Sequence, residues 1–196
     1  MKHLLIFVFT IATSFVYGQS NYHDSIAHYL DTYIQSHEVV KGDDKKLFRF
    51  YPVDKQYRVT AQFEKVDDGK WFTMKTSGLL PQTFRVYGIL RFAIHDTAVQ
   101  LNIYQSQNLM NIDGYKDYLF LPFTDLTSGE ETYANGRYID FHTPDIINNT
   151  LVIDFNKAYN PYCAYATGKY NCPIPPKENA LAVAIKAGEK KFAEAH

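Results

Sequence analysis

Between Tyr57 and Ser106 the side chains change polarity at almost every residue, and that alternation confines the chain to an extended, half-buried backbone. In YRVTAQFEK (57–65), Tyr57, Val59, Ala61 and Phe63 point one way, and Arg58, Thr60, Gln62 and Glu64 the other. Asp67-Asp68-Gly69 reads as a turn, so WFTMKT (71–76) is expected to pair back on the first strand as a hairpin. FRVYGILRFAI (84–94) and VQLNIYQS (99–106) follow, joined by a short turn at His95-Asp96-Thr97. DYLFLPF (117–123), RYIDF (137–141), TLVIDF (150–155) and LAVAIKA (181–187) are further strand candidates. With no helices between them, βαβ units are excluded. The pattern predicts an all-β, mainly antiparallel barrel or sandwich of about eight short strands. Sixteen Tyr and fourteen Phe agree with this, because a pleated surface seats large flat rings well.

One helix precedes the strands. Ile26, Tyr29, Leu30, Tyr33 and Ile34 form a single apolar stripe, with Asn21 placed to cap it and Asp24 in its first turn. The stripe predicts packing against the β domain, with a partner-docking helix as the competing reading. Further upstream, Lys2 and His3 lead into an apolar run ending Val16-Tyr17-Gly18. Residues 1–18 read as a secretory signal peptide cleaved near Gln19, and the competing reading is an uncleaved amphipathic anchor. The expected location is therefore periplasmic or extracellular. The run is too short for a membrane span of roughly 20 residues, so no transmembrane segment is expected. Residues 19–196 suit a single globular domain, taken to be a monomer. Twenty basic residues against twenty-one acidic ones leave no electrostatic footprint for nucleic acid.

DFNKAYNPYCAYATGKYNCPIPPKEN (154–179) breaks the pattern. Its prolines keep it out of helices and central strands, so it is a long connection. Cys163 and Cys172 are the only cysteines, and in an exported chain a disulfide between them is the default. Closing such a ring stabilises by roughly 2.5–3 kcal/mol on the chain-entropy argument. A metal site would need more than two thiolates and the segment holds no histidine to complete one, and a catalytic cysteine would need a histidine such as His95 or His142 brought near. The staple is preferred, with no metal and no cofactor. The asparagines can imitate backbone turns, and Tyr159, Tyr162, Tyr165 and Tyr170 can cover one end of the core.

A second polar cluster, FTDLTSGEETYANGRYIDF (123–141), places carboxylates beside Arg137. Such groups can bind a polar ligand or do acid–base chemistry, and equally can be a salt-bridged turn. The string from Asp125 to Tyr138, D-x-T-S-G-E-E-T-Y-x-x-G-R-Y, resembles the family called domain of unknown function 1684. So do Asp154–Tyr165, Cys172–Asn179, Ala187–Glu189, the K-T-S-G of residues 75–78 and the R-V-Y-G-I-L-R-F of residues 85–92. The resemblance implies a single bacterial or archaeal domain of this length and brings no catalytic or binding residues with it.

If the two clusters meet at one barrel mouth, Asp125, Glu131, Tyr133, Arg137, Asp154, Asn156, Tyr159, Asn160, Glu178 and Asn179 would line a ligand site. Two functions compete on these residues. One is a non-catalytic, envelope-associated domain that binds a small polar or aromatic-stacking ligand. The other is an extracytoplasmic hydrolase with Asp125, Glu131 or Asp154 as base and Arg137 stabilising developing charge.

Overall fold

The structure is a computed structural model that describes residues 12–193. The leader expected over residues 1–18 lies outside the described residues as far as residue 11. Helix α1 spans Ala12–Ser36 and runs unbroken through Asn21, so Asn21 is no cap and Asp24 lies mid-helix. The predicted stripe is real: Ile26 is 2% exposed, and Tyr29, Leu30, Tyr33 and Ile34 are half-buried. Among the described residues no helix is long and apolar enough to cross a membrane.

Seven strands follow: β1 (Arg58–Lys65), β2 (Phe72–Met74), β3 (Gln82–Ile94), β4 (Thr97–Ser106), β5 (Tyr118–Phe123), β6 (Arg137–His142) and β7 (Thr150–Asp154). They form one antiparallel sheet in the order β6-β5-β4-β3-β1-β7, with β2 also on β3. The sheet curls into a half-barrel with β6 and β7 at its two margins. Part of that gap is bridged by chain beyond β7, where Tyr138 and Tyr159 exchange backbone hydrogen bonds of 2.9 and 3.0 Å.

Two strand expectations need correction. β1 and β2 do not form a hairpin. Both run antiparallel to β3, β1 along Gly88–Arg91 and β2 along Gln82–Phe84, as one strand interrupted by residues 66–71. The Asp67–Gly69 turn loops out instead of reversing the chain, beside the bulge that breaks the β3–β4 register between Val86 and Gly88. Gly69 fits there because a Cβ would lie 2.3 Å from the Val86 carbonyl oxygen. LAVAIKA is the second correction. Leu181, Ile185 and Ala187 are buried as a strand face would be, yet the segment is not a strand of the sheet. Its backbone is held at Thr124 and Leu126 and by the side chains of Asp125 and Arg137. Side chains replace part of the ladder there, which period-two polarity cannot reveal.

The sheet buries both faces over β5 and β6. One face carries the main core, in which Leu90, Leu101, Leu119, Leu121 and Ile153 pack on Phe155, Leu181 and Ile185 of the returning chain. The other carries an aromatic cluster of Met74, Phe84, Tyr104, Phe120 and Tyr138. Burying each large side chain contributes about 1.5–3 kcal/mol. Helix α1 packs mainly on the long crossover, with its last turns across a cleft from β6. Its Tyr22 hydroxyl donates to Asp154 at 3.0 Å, and its Tyr33 ring packs against Phe48, Phe50 and Tyr159.

Candidate functional site

Cys163 and Cys172 form the expected disulfide, with Cα atoms 6.2 Å apart. Among the described residues no group of three His, Cys, Asp or Glu side chains could hold a metal ion.

The expected ligand mouth does not assemble as a single open site. The Arg137 and Asp125 side chains are 1% and 0% exposed, with Nη2 donating to Asp125 Oδ2 at 3.3 Å. The guanidinium also donates to the carbonyls of Ile185 (2.9 Å), Ala187 and Glu189, and it lies over the Phe123 ring. Asp125 accepts from the Ile185 amide at 2.5 Å and from Thr127 Oγ1 at 2.8 Å. Burial pulls the Arg137 pKa down and the Asp125 charge opposes that. The pair is a clamp that fastens residues 185–189 to the start of β6. Glu131 sits outside it, half-buried, and its carboxyl titrates below its ordinary range because Lys186 and Tyr51 hydrogen-bond to it. Tyr133 touches Asn135 at 3.4 Å, and Glu178 is exposed.

The asparagines serve backbone. Asn179, fully buried, donates from Nδ2 to the carbonyls of Asn102 and Pro122 and accepts the Asn102 amide at 2.9 Å. Asn156 joins the crossover to the chain before β1, donating to the Asp54 carbonyl at 2.8 Å and accepting the Asp54 amide at 2.9 Å. Asp154 accepts from the Asn156 amide and from Tyr22 of α1. Asn160 gives its amide to Glu189 Oε2 at 2.9 Å and its side chain to the Lys190 carbonyl at 2.8 Å. Glu189 also accepts Tyr165 at 2.8 Å and Tyr33 at 3.2 Å, and burial raises its pKa to about 7.

Of the expected site residues, Tyr159 is the one that lines a large cleft among the described residues, joined there by Cys172 of the disulfide. This cleft has a volume of about 730 Å³ and lies between the last turns of α1, β6 and the disulfide loop. Tyr29 and Tyr33 come from α1, Tyr138 from β6, and Tyr162 and Tyr170 from the loop. Two carboxylates line it, Asp140 of β6 and Glu38 just beyond α1, and Asp140 is the one that two phenols engage. It accepts Tyr118 from the neighbouring strand at 2.6 Å and Tyr159 at 2.8 Å. Asp140 is exposed to solvent. Protein atoms nonetheless crowd it enough that desolvation raises its pKa, while the two phenols oppose that by favouring the anion. His37 closes the α1 end. Its Nδ1 accepts the Val40 amide at 2.9 Å, and burial lowers its pKa to about 4, so the ring is neutral at physiological pH.

Asp140, Tyr118, Tyr138 and His37 were not singled out from sequence. The signal was there: in RYIDF, Ile139 and Phe141 face the core, so Tyr138 and Asp140 must share the other face. Which elements lie over that face is a tertiary fact.

A search of curated proteins finds no match. The chain is similar in fold to the solution NMR structure of an uncharacterised protein of Haloarcula marismortui. The two are 22% identical with a TM-score of 0.66, over 91% of this chain and 98% of that one. A family model described as "Protein of unknown function (DUF1684)" matches residues 46–190, which takes in every strand, the disulfide loop and the Arg137 clamp. The chain therefore belongs to the DUF1684 family.

Proposed function

We propose that this protein is an exported, non-catalytic domain that binds a small ligand in the tyrosine-lined cleft. The observation that carries the reading is the cleft itself. Its volume of about 730 Å³ falls within the range of small-molecule sites, roughly 300–1,000 Å³. It combines six tyrosine rings with a few polar groups, among them the carboxylates of Asp140 and Glu38, a composition that can bury a ligand and fix its orientation. Export is supported by the leader-like residues 1–18 and by a disulfide that an oxidising compartment would maintain. The hydrolase alternative built on Arg137 is not carried forward. A guanidinium 1% exposed, with both terminal nitrogens bound to protein, has no surface to meet a substrate.

Thermal-shift screening of the oxidised protein against sugars, lipids, nucleotides and organic ions tests the binding reading, because a bound ligand raises the melting temperature with its concentration. Ser36→Trp, which adds bulk at an exposed position lining the cleft, should abolish a hit's shift. A shift that survives Ser36→Trp would place binding elsewhere. Export is checked by the amino-terminal residue of secreted material, expected near Gln19.

A further inference from the structure

The cleft's polar groups are unequally satisfied. Four of its tyrosine hydroxyls already have protein partners. Tyr159 donates to Asp140, Tyr138 to the Pro173 carbonyl, and Tyr162 to Glu38 at 3.3 Å, while Tyr33 contacts Tyr165 and Glu189. Gln82 donates to the Asn171 carbonyl at 2.8 Å, Asn171 Oδ1 accepts the Leu80 amide at 3.0 Å, and Ser36 donates to Thr32. The four phenols therefore present ring faces and engaged hydroxyls to the cleft, while the buried His37 Nε2 has no protein partner among the described residues.

Asp140 differs. A carboxylate has about four acceptor positions. Two phenols reach this one, and it remains open to the cleft. The other charged group of the lining, Glu38, is also acidic, and among the described residues no Lys or Arg lines the cleft. His37 brings no charge near neutral pH. The rings stand at angles to one another, Tyr138 to Tyr159 at 88° and Tyr162 to Tyr170 at 59°, with centroids 5.9 and 5.3 Å apart. Ring faces that share a cleft with a carboxylate favour a cation, since a ring's quadrupole and the carboxylate's field act in the same sense. Tyr29 illustrates the tendency, carrying Lys157 Nζ 5.0 Å from its centroid.

We infer that the cleft binds a small organic ammonium ion, with its charge on Asp140 and its hydrocarbon against the tyrosine rings. The inference rests on the proposed binding function and narrows it to one ligand class.

Choline, an alkylamine such as n-butylamine, and 3,3-dimethylbutan-1-ol, the uncharged isostere of choline, form the test set. Each is titrated into the oxidised protein, with amide NMR shifts locating the site and calorimetry giving affinity. A cation is expected to perturb Asp140, Tyr159 and Tyr162 and to bind about tenfold or more tighter than the neutral isostere. Asp140→Asn, which keeps the shape and removes the charge, should weaken the cation by about tenfold and leave the isostere unchanged. Tyr118→Phe serves as a second variant if the first fails to fold. It leaves Asp140 charged with one fewer phenol, so the preference for cation over isostere should persist. Equal binding of cation and isostere in the cleft, insensitive to Asp140→Asn, would overturn the ligand class while leaving the binding function standing. Sugars or nucleotides that shift cleft amides when no cation does would have the same consequence. If no probe of any kind moves these amides, the inference and the binding function fall together.

Discussion

Glu189→Gln should remove a specific piece of the protein's pH dependence. Glu189 is fully buried and accepts the Asn160 amide and the hydroxyls of Tyr165 and Tyr33. Arg137, which binds the Glu189 carbonyl, adds a charge that favours ionisation, but burial dominates and raises the pKa from 4.5 to about 7. Below about pH 4.5 both folded and unfolded forms hold the proton. Between the two values only the folded form does, so stability falls as pH rises through that window and is level above it. At 1.36 kcal/mol per unit, the loss is about 3 kcal/mol by pH 7. His37 works in the opposite sense. Its folded pKa is lowered to about 4, so its contribution is complete above its unfolded value near 6.5 and is lost as pH falls. The two opposed slopes therefore partly offset each other in the wild-type profile. The difference between wild type and Glu189→Gln isolates the carboxyl, because His37 is common to both. Urea unfolding at half-unit steps from pH 4.5 to 8 measures it. Wild type should lose about 3 kcal/mol relative to the variant across that range. A difference constant to within about 0.5 kcal/mol would mean that Glu189 is not held neutral by burial, and the reasoning would be wrong.

Arg137→Ala strands a buried Asp125 carboxylate and the carbonyls of residues 185, 187 and 189, so it should cost about 3–5 kcal/mol, read by urea unfolding, with the chain from residue 180 onward losing amide-exchange protection first. Reducing Cys163–Cys172 opens a ring with sequence separation 9 and should cost about 2.7 kcal/mol. Calorimetry with and without reductant should show the melting temperature falling by about 5–10 °C. Gly188→Ala should destabilise by more than about 1–2 kcal/mol. Its φ is +74°, and the new Cβ would lie 2.6 Å from the carbonyl oxygens of Phe155 and Ala158. Gly168→Ala, at the same φ with nothing within 4 Å, isolates the conformational part and should cost less in the same melt.

Much of the molecule was legible one residue at a time. Side-chain pattern located all seven strands to within a few residues, because inward and outward positions differ in polarity wherever one face meets water. The apolar stripe of α1 was legible for the same reason at the helical period, and the disulfide followed from two cysteines in a segment too rich in proline for regular structure. The candidate site was less legible. Asp125, Arg137, Asn156, Asn160 and Asn179 stood out because polar groups cluster there, but polarity does not distinguish a side chain that serves solvent from one that serves a buried carbonyl. Those residues fasten an irregular crossover whose backbone has few sheet partners, and such a crossover needs polar side chains in its interior.

The sequence by itself determined local period, and with it an antiparallel sheet, one amphipathic helix and a stapled loop, since each depends on near neighbours along the chain. Only the tertiary structure decided that β2 continues β1 along β3, that residues 181–187 are held by side chains, and that α1 and the disulfide loop stand over Tyr138 and Asp140. The last two bring together segments many tens of residues apart, and the first depends on which neighbouring segment β3 takes as partner. Such a choice is made by how the whole set of faces can be buried at once, and no single stretch carries it.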